Sequence, residues 1–479
     1  MPVLPAARYG FVRFRRLEPR GTLGSVPTSY RYAERVTPFA GDPLDVVTNL
    51  VSSGVFDSYV VVERDGRFSV AGDVLAEVRS ERAGLRLTLD GSTTTRPCDG
   101  TLGQVVDALR SLPVADWRAY GWVAFEAAYP PLGQSVGDEP LAHVVVPRCE
   151  VILDGGRAVV RGIDPGTIAE VVDVLATPVQ STMDDTAVVG VDISHGRDHY
   201  RAAVAAAVAE IRSGALQKAI VSRVVPVRGP VDLPRTYARG RRGNTPVRSF
   251  LLDLGGVRAA GFSPEIVCES DGVTVVTQPL AGTRALQEDE ALNRRLRAEL
   301  ETDPKEIFEH AVSVKAAIDD LRDVCTPGSV RVEGFLGVQE RGSVQHLGSA
   351  VRGDLAANRD AWDALQSVFP AVTVSGIPKA AAYETIRRLE SGPRGLYAGA
   401  VLVADSRGTL DATLVLRTVF QAGGRTWLRA GAGIVAASTP DREYEETCEK
   451  LRSVSRFLVP LATPAPDGAL AGLAAEVTS

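Results

Sequence analysis

Runs of β-branched and aromatic residues recur along this chain in uneven clusters, several strands together and then several helices. That rhythm excludes a sheet in which each strand is followed by its own crossover helix and points to an α+β fold. Up to about residue 185 the chain is written in short apolar runs broken by Gly, Pro and Asp. Tyr59–Glu63 (YVVVE), Ala142–Val146 (AHVVV) and Glu150–Leu153 (EVIL) each read as strand. The pattern changes between Gly190 and Asp192. Asp198–Ser213 is Ala-rich with apolar residues at helical spacing, and Gly214 is its natural stop. LQKAIVSRVVPV then reads as strand. Further strands are expected at Ser249–Leu254, Arg258–Cys268, Gly272–Thr277, Val330–Leu336, Val344–Leu355, Tyr397–Asp405, Thr409–Gln421 and Thr426–Ile434. Helices are expected at Glu288–Glu301, Pro304–Val324, Arg359–Val368, Lys379–Leu389 and Asp441–Phe457. No repeat of fixed period is present, and the Ala/Pro/Gly-rich tail after Leu461 is expected to be loose.

Charge and cysteine usage narrow the classes of function. With 53 Lys and Arg against 59 Asp and Glu the net charge is −6, so nucleic acid is not an expected partner. Cys98, Cys149, Cys268, Cys325 and Cys448 are odd in number, widely spaced and free of any CxxC pair. A disulfide framework or zinc site is therefore not expected, and a reducing cytoplasm is. The start, MPVLPAARYGFVRFRRLEPRG, lacks the continuous apolar core of a signal peptide. No apolar run approaches the length of a membrane span.

Two pairs of glutamates stand out. Glu306 and Glu309, three apart in the helix KEIFEHAVSVKAAIDDLRDV, share one face; so do Glu443 and Glu446 in DREYEETCEKLRSV, with Lys450 four beyond Glu446. If the two faces meet, they could hold one hard divalent cation, and an all-oxygen donor set favours magnesium over zinc. Either pair alone also fits a solvated helix face, and Glu446–Lys450 fits an ordinary i,i+4 ion pair.

Three stretches are costly for an ordinary sheet: Gln278–Ala285 (QPLAGTRA), Gly342–Ser349 (GSVQHLGS) and Arg429–Ile434 (RAGAGI). Gly282, Thr283, Gly431, Ala432 and Gly433 would present backbone N–H groups suited to a carboxylate, or mark bulges and tight sheet contacts. Arg417 in LVLRTVF either faces solvent or reaches a buried anion. Tyr397 offers a phenolic donor, and His346 fits a structural role as well as a pocket role. Lys218 in LQKAIVSR would be a base if held in a dry site, and Glu265 in GFSPEIV an acid if burial raised its pKa; both also fit the surface.

In order along the chain stand LQKAIVSR, GFSPEIV, QPLAGTRA, DPKEIFEH, VQHLGS, FPAVTVSGIPKAAA, RGLYAGAV, LRAGAGIV and DREYEETCEKL. This series resembles the chorismate-utilising enzyme family, which includes the anthranilate, aminodeoxychorismate, isochorismate and salicylate synthases. The resemblance covers roughly Asp198 to Phe457, with echoes in VVVERDGRFSVAGD and GWVAFEAAY. It implies an anthranilate synthase component I-like fold, two stacked antiparallel sheets flanked by helices with the active site in a cleft. Residues 1–190 would form the N-terminal part of that single domain, 191–461 the chorismate-binding catalytic part, and 462–479 a flexible tail.

Residue by residue, the resemblance implies that Lys218 activates water to attack ring carbon C2 of chorismate and Glu265 protonates the departing C4 hydroxyl. It implies Mg2+ on Glu309 and Glu446, supported by Glu306 and Glu443, holding the ring carboxylate. Gly282 and Thr283 would contact substrate; Tyr397, Arg417, Gly431, Ala432, Gly433 and Lys450 would bind its carboxylates; His346 and Thr373 would lie near the ring and the enolpyruvyl group. PLAGT stands where aminodeoxychorismate synthases carry PIKGT, with Ala281 in place of the lysine. Lysine at 218 is typical of members that add water, so no glutaminase subunit is expected. FPAVTVSG is similar to the salicylate-synthase form, whereas stand-alone isochorismate synthases typically read HPTPAV. The expectation is therefore chorismate converted through isochorismate to salicylate and pyruvate, with isochorismate release as the alternative, by a cytoplasmic monomer.

Overall fold

The structure, a computed structural model, describes residues 30–179 and 187–461, so the predicted tail at 462–479 lies outside the described residues. Its strands form two antiparallel arms. One arm runs Gly376–Ile377, Lys218–Val227, Arg425–Ile434, Thr418–Ala422, Val257–Ser263, Arg248–Leu254 and Tyr59–Arg64. The other runs Arg118–Val123, Ala400–Asp405, Leu410–Leu414, Ile266–Ser270, Thr274–Thr277 and Val344–Asp354, and the last of these also pairs with Leu280–Ala285 and Arg331–Arg341. The long strands Arg67–Glu81 and Ala142–Asp154 pair with each other and join the arms, the first through Tyr59–Arg64 and the second through Arg118–Val123.

One contiguous buried cluster joins Val60, Leu252 and Ala259 of the first arm to Tyr120, Leu402 and Val275 of the second. Alternation along each strand sends the other side chains outward, where helices cover them. Leu233 and Tyr237 of the helix Leu233–Arg242 pack with Ala260 and Phe262. Tyr200, Val204 and Val208 of the helix Arg197–Arg212 pack with Ala219, Val221 and Ala432. The two glutamate helices are Pro304–Arg322 and Pro440–Ser455. The first opens on an Asp303 cap that accepts from the N–H groups of Lys305 and Glu306, with Pro304 in its first turn.

Several expected elements divide in the structure. Arg258–Cys268 is two strands, Val257–Ser263 and Ile266–Ser270, because Pro264 lacks the N–H a ladder needs. Thr409–Gln421 is likewise Leu410–Leu414 and Thr418–Ala422, interrupted where Arg417 has φ 49°. The strand expected from Tyr397 begins at Ala400, because Ala398 at φ 63° turns the chain. The helices Pro43–Ser52 and Pro165–Ala176, in the part that reads as strands, each open on an aspartate cap followed by proline. They are short and rich in β-branched residues, so their periodicity is weak.

Glu126, from GWVAFEAAY, ties early chain to late chain. Its buried carboxylate accepts from the N–H groups of Arg394 (2.7 Å) and Gly395 (3.0 Å). Arg394 in turn sits at 2.6 Å from Glu390, which also pairs with Arg429 at 2.6 Å. Glu126→Ala would strand two N–H groups, each worth about 1–3 kcal/mol when left unpaired in the interior. Urea unfolding should therefore show a loss of about 2–6 kcal/mol, against the near-neutral result expected of a surface glutamate.

Candidate active site

The breaks in the ladders place the chemistry. Glu265 sits at the gap after Pro264, Arg417 at the gap before Thr418, and Tyr397 and Thr373 in turns that lead into strands. At such gaps a side chain leaves the alternating pattern and can be aimed at a shared point. Every residue singled out from the sequence lines one cavity except Lys218, Glu306, Ala432 and Glu443.

Glu265 is fully enclosed. Burial pushes its pKa up to about 8, against the lowering effects of the Thr373 hydroxyl, which donates to its Oε1 at 2.5 Å, and of the Lys218 charge. A carboxyl in that state is a proton donor at neutral pH. Arg417 faces the same cavity. Its guanidinium donates to the Arg341 carbonyl (2.8 Å) and to His346 Nε2 (2.6 Å), and burial together with Arg341 lowers its pKa to about 9. Among the described residues it pairs with no carboxylate. It is therefore a buried cation awaiting an anion. His346 accepts from Arg417 on Nε2, so its proton belongs on Nδ1, facing Thr283 Oγ1 at 3.1 Å. Burial, Arg417 and Lys450 hold the ring neutral by depressing its pKa.

Strand alternation settles two of the open readings. Lys218 is two residues from Ile220, which lines the cavity, while Ala219 and Val221 pack outward. Lys218 therefore points inward and is completely buried. Its Nζ donates to Ser313 Oγ at 2.9 Å and lies 3.0 Å from Glu309 Oε1. Ser313 and Glu309 are one helical turn apart, so a single helix face holds the amine. On the partner strand Gly431 and Gly433 face the cavity, whereas Ala432 packs into the outer cluster and offers only its backbone.

All four glutamates are buried: Glu306, Glu309, Glu443 and Glu446. Glu306 accepts from the Thr283 N–H at 3.0 Å and from Arg284 at 2.9 Å. The exposed N–H that the glycine strand was expected to offer a ligand at Thr283 is thus already used by a glutamate. Gly282 makes this possible, with φ 83° at a register shift in its ladder. Glu446 pairs with Lys450 at 2.8 Å; burial pushes its pKa up, but Lys450, Lys305 and Arg442 outweigh burial and hold it near 2. Glu443 goes the other way: burial and the Glu446 charge raise its pKa to about 7, and neither of its oxygens accepts a well-formed hydrogen bond.

Three residues at this site went unread in the sequence. Arg284 and Ser313 lie on the same strand and helix as named residues, and Ser313 stands at i+4 from Glu309, a spacing that could have found it. Lys305, wedged between the two glutamate helices, stands beside Glu306 and at i−4 from Glu309.

The model for chorismate binding enzymes matches residues 81–456. A salicylate synthase of Mycolicibacterium paratuberculosis is 43% identical, covering 87% of this chain and 94% of its own length. The crystal structure of anthranilate synthase component I from Streptococcus pneumoniae superposes with a TM-score of 0.69 at 25% identity, covering 81% of this chain and 92% of its own. A putative 2,3-dihydroxybenzoate-specific isochorismate synthase from Bacillus anthracis shares the fold with a TM-score of 0.66 at 21% identity, covering 86% of this chain and 99% of its own. The chain belongs to the chorismate binding enzyme family, and its fold is the α+β fold of anthranilate synthase component I.

The glycine at 433 gives a direct test of the site's geometry. A Cβ there would lie 2.1 Å from Glu309 Oε1 and 3.2 Å from Lys218 Cε. Both are ends of flexible side chains, so Gly433→Ala should fold and melt as the parent does. It should displace Glu309 and Lys218 and slow turnover by about 10²-fold, the size of effect that a 1 Å misplacement has. Steady-state kinetics beside a thermal melt would check both halves.

Proposed function

We propose that this chain is a salicylate synthase, converting chorismate through isochorismate to salicylate and pyruvate with magnesium as its metal. The observation that carries the reading is a single cavity flanked by a buried lysine at one point and a protonated carboxyl, Glu265, at another, with four buried glutamates around it and an Arg417 that pairs with no carboxylate among the described residues. The 43% identical salicylate synthase supports the choice of product.

The four glutamates fit a hard divalent cation. Their donors are all oxygen, two of the carboxyls have raised pKa values through burial, and Glu443, eased only by Lys305 and the Ser438 hydroxyl, accepts no hydrogen bond of good geometry among the described residues. Glu309 and Glu446 would hold the ion, with Glu306 and Glu443 in support. When bound, magnesium supplies a positive charge to orient and neutralise the ring carboxylate of the substrate.

The chain's own residues account for the rest. Arg417, steadied by His346 and the Arg341 carbonyl, binds a substrate carboxylate, with Lys450, the Tyr397 hydroxyl and the Gly431–Gly433 backbone around it. Lys218, acting as the neutral amine, takes a proton from water as the water oxygen bonds to C2. The ring double bonds shift, the C4–O bond breaks, and Glu265 gives its proton to the leaving hydroxyl, so one water enters and one departs. The second stage transfers the C2 hydrogen to the enolpyruvyl carbon as the C–O bond to pyruvate breaks and the ring becomes aromatic. That step needs no dedicated base, only a substrate held in a reactive conformer. Thr373 and His346 are placed to hold it. Residues 30–179 and 187–461 act as one folding unit, a cytoplasmic monomer in this reading. The five free cysteines support the reducing compartment.

Chromatography of the products from chorismate and magnesium tests the reading. Salicylate and pyruvate should form in equal amounts, and EDTA should stop turnover. Accumulation of isochorismate without salicylate would overturn the assignment in favour of an isochorismate synthase. Lys218→Met should abolish both stages from chorismate.

The role of Glu265 has its own pH signature. It donates only while protonated, and its pKa in the folded chain is about 8. The rate kcat/KM should therefore fall as pH rises through about 8, on the alkaline side. The Thr373 hydroxyl lowers that pKa, so Thr373→Val should move the falling limb to higher pH. A limb that stays fixed or moves down would contradict the assignment.

A further inference from the structure

Lys305 lies where none of the chemistry above requires a lysine. It is the second residue of the helix Pro304–Arg322, one turn before Glu309. An ordinary surface lysine at that spacing would make one i,i+4 pair and otherwise face water. Lys305 instead bridges two helices. Its Nζ is 3.3 Å from Glu306 Oε1, 3.7 Å from Glu309 Oε2 and 3.2 Å from Glu443 Oε1. Three of the four glutamates proposed for the metal thus share one ammonium group.

The remaining cations complete the pattern. Arg284 is 2.9 Å from Glu306, Lys218 is 3.0 Å from Glu309, and Lys450 is 2.8 Å from Glu446. Glu443 is the exception: Lys305 is its one ion-pair partner among the described residues, and the contact makes no proper hydrogen bond. As they stand, no three metal-ligating side chains among the described residues converge closely enough to chelate an ion. The ammonium lies within 3.7 Å of three of the four carboxylates.

We propose that Lys305 is a tethered counter-cation that neutralises the glutamate cluster in the metal-free chain and must withdraw when a divalent cation binds. The inference rests on the reading of these glutamates as the metal site. Its physical basis is exclusion. A divalent ion sits about 2.1 Å from its oxygen ligands, and an ammonium 3.7 Å from Glu309 Oε2 and 3.2 Å from the supporting Glu443 Oε1 would press a positive charge against it in a poorly solvated space. The lysine has somewhere to go: its side chain keeps 15% of its surface exposed, whereas that of Glu443 keeps none. Its long flexible stem lets the head reach water while the helix stays in place. Metal affinity is then the intrinsic affinity of the glutamates reduced by the free energy of expelling Lys305. The cluster is never left as uncompensated buried charge.

Binding of Mg2+ alone, measured by titration calorimetry on full-length chain stripped with EDTA and dialysed, tests this without turnover. Lys305→Met keeps the stem and removes the competing charge. It should bind Mg2+ about tenfold tighter or more, the size of effect seen when a close charge pair is removed, and should gain more thermal stability on adding Mg2+ than the parent does. Lys315→Met, an exposed lysine on the same helix paired with Asp319, should change neither quantity. A second measurement uses the unaltered chain, so it stands even where Lys305→Met fails to fold. Acylation of lysines read by mass spectrometry should find Lys305 protected in EDTA and labelled in Mg2+. Unchanged or weaker Mg2+ binding by a folded Lys305→Met would overturn the proposal, as would protection of Lys305 that persists in saturating Mg2+. Failure of the parent chain to bind Mg2+ at all would instead overturn the metal reading on which the proposal rests.

Discussion

A carboxylate taken out of water must be neutralised by a proton, an opposite charge or a metal ion, and two helices here bury four of them side by side. The rest of the site is arranged around that requirement. Lys218, Arg284, Lys305 and Lys450 converge on the cluster from two strands and both helices. Gly433 lacks a side chain, so Glu309 can come close to its strand, and the bulge at Gly282 turns the Thr283 N–H onto Glu306. A cluster that merely stabilised the fold would be better replaced by apolar residues. Its retention with an under-satisfied Glu443 fits a site built to receive a cation.

The second organising feature is the set of interruptions in the sheet. Glu265 and Arg417 stand at gaps in neighbouring ladders, and Tyr397 and Thr373 occupy turns. Regular strands would have sent successive side chains to opposite faces; the breaks let residues from distant parts of the chain converge. The two groups also acquire opposite deficits. Glu265 is short of positive charge and holds its proton, while Arg417 is short of negative charge. A substrate carrying carboxylates and a hydroxyl leaving group would give Arg417 its anion and Glu265 an acceptor for its proton.

Much of this was legible in the residues. The i,i+3 glutamates on helices, the glycine-rich strands and the α+β rhythm all follow from spacing, and the ordered series of motifs led to the family. What spacing could not supply was direction. Lys218 and Arg417 each fitted a solvent-facing strand position as well as a buried one, and only the packing of Ala219 and Val221 against the helix Arg197–Arg212 decides the first. The strand breaks at Pro264 and Arg417 were missed because the apolar runs on either side read continuously. Lys305 was passed over because a lysine beside glutamates on a helix is ordinarily a solvated pair; its bridge to Glu443 joins helices far apart in sequence and has no local signature.

A cation seated between the two glutamate helices is what the whole arrangement requires. A crystal of the chain soaked in Mn2+, with anomalous scattering collected at the manganese edge, measures that directly. One strong peak is expected beside Glu309 and Glu446, with the Lys305 ammonium withdrawn from Glu443. No peak there, or a peak with Lys305 still bridging the helices, would contradict it.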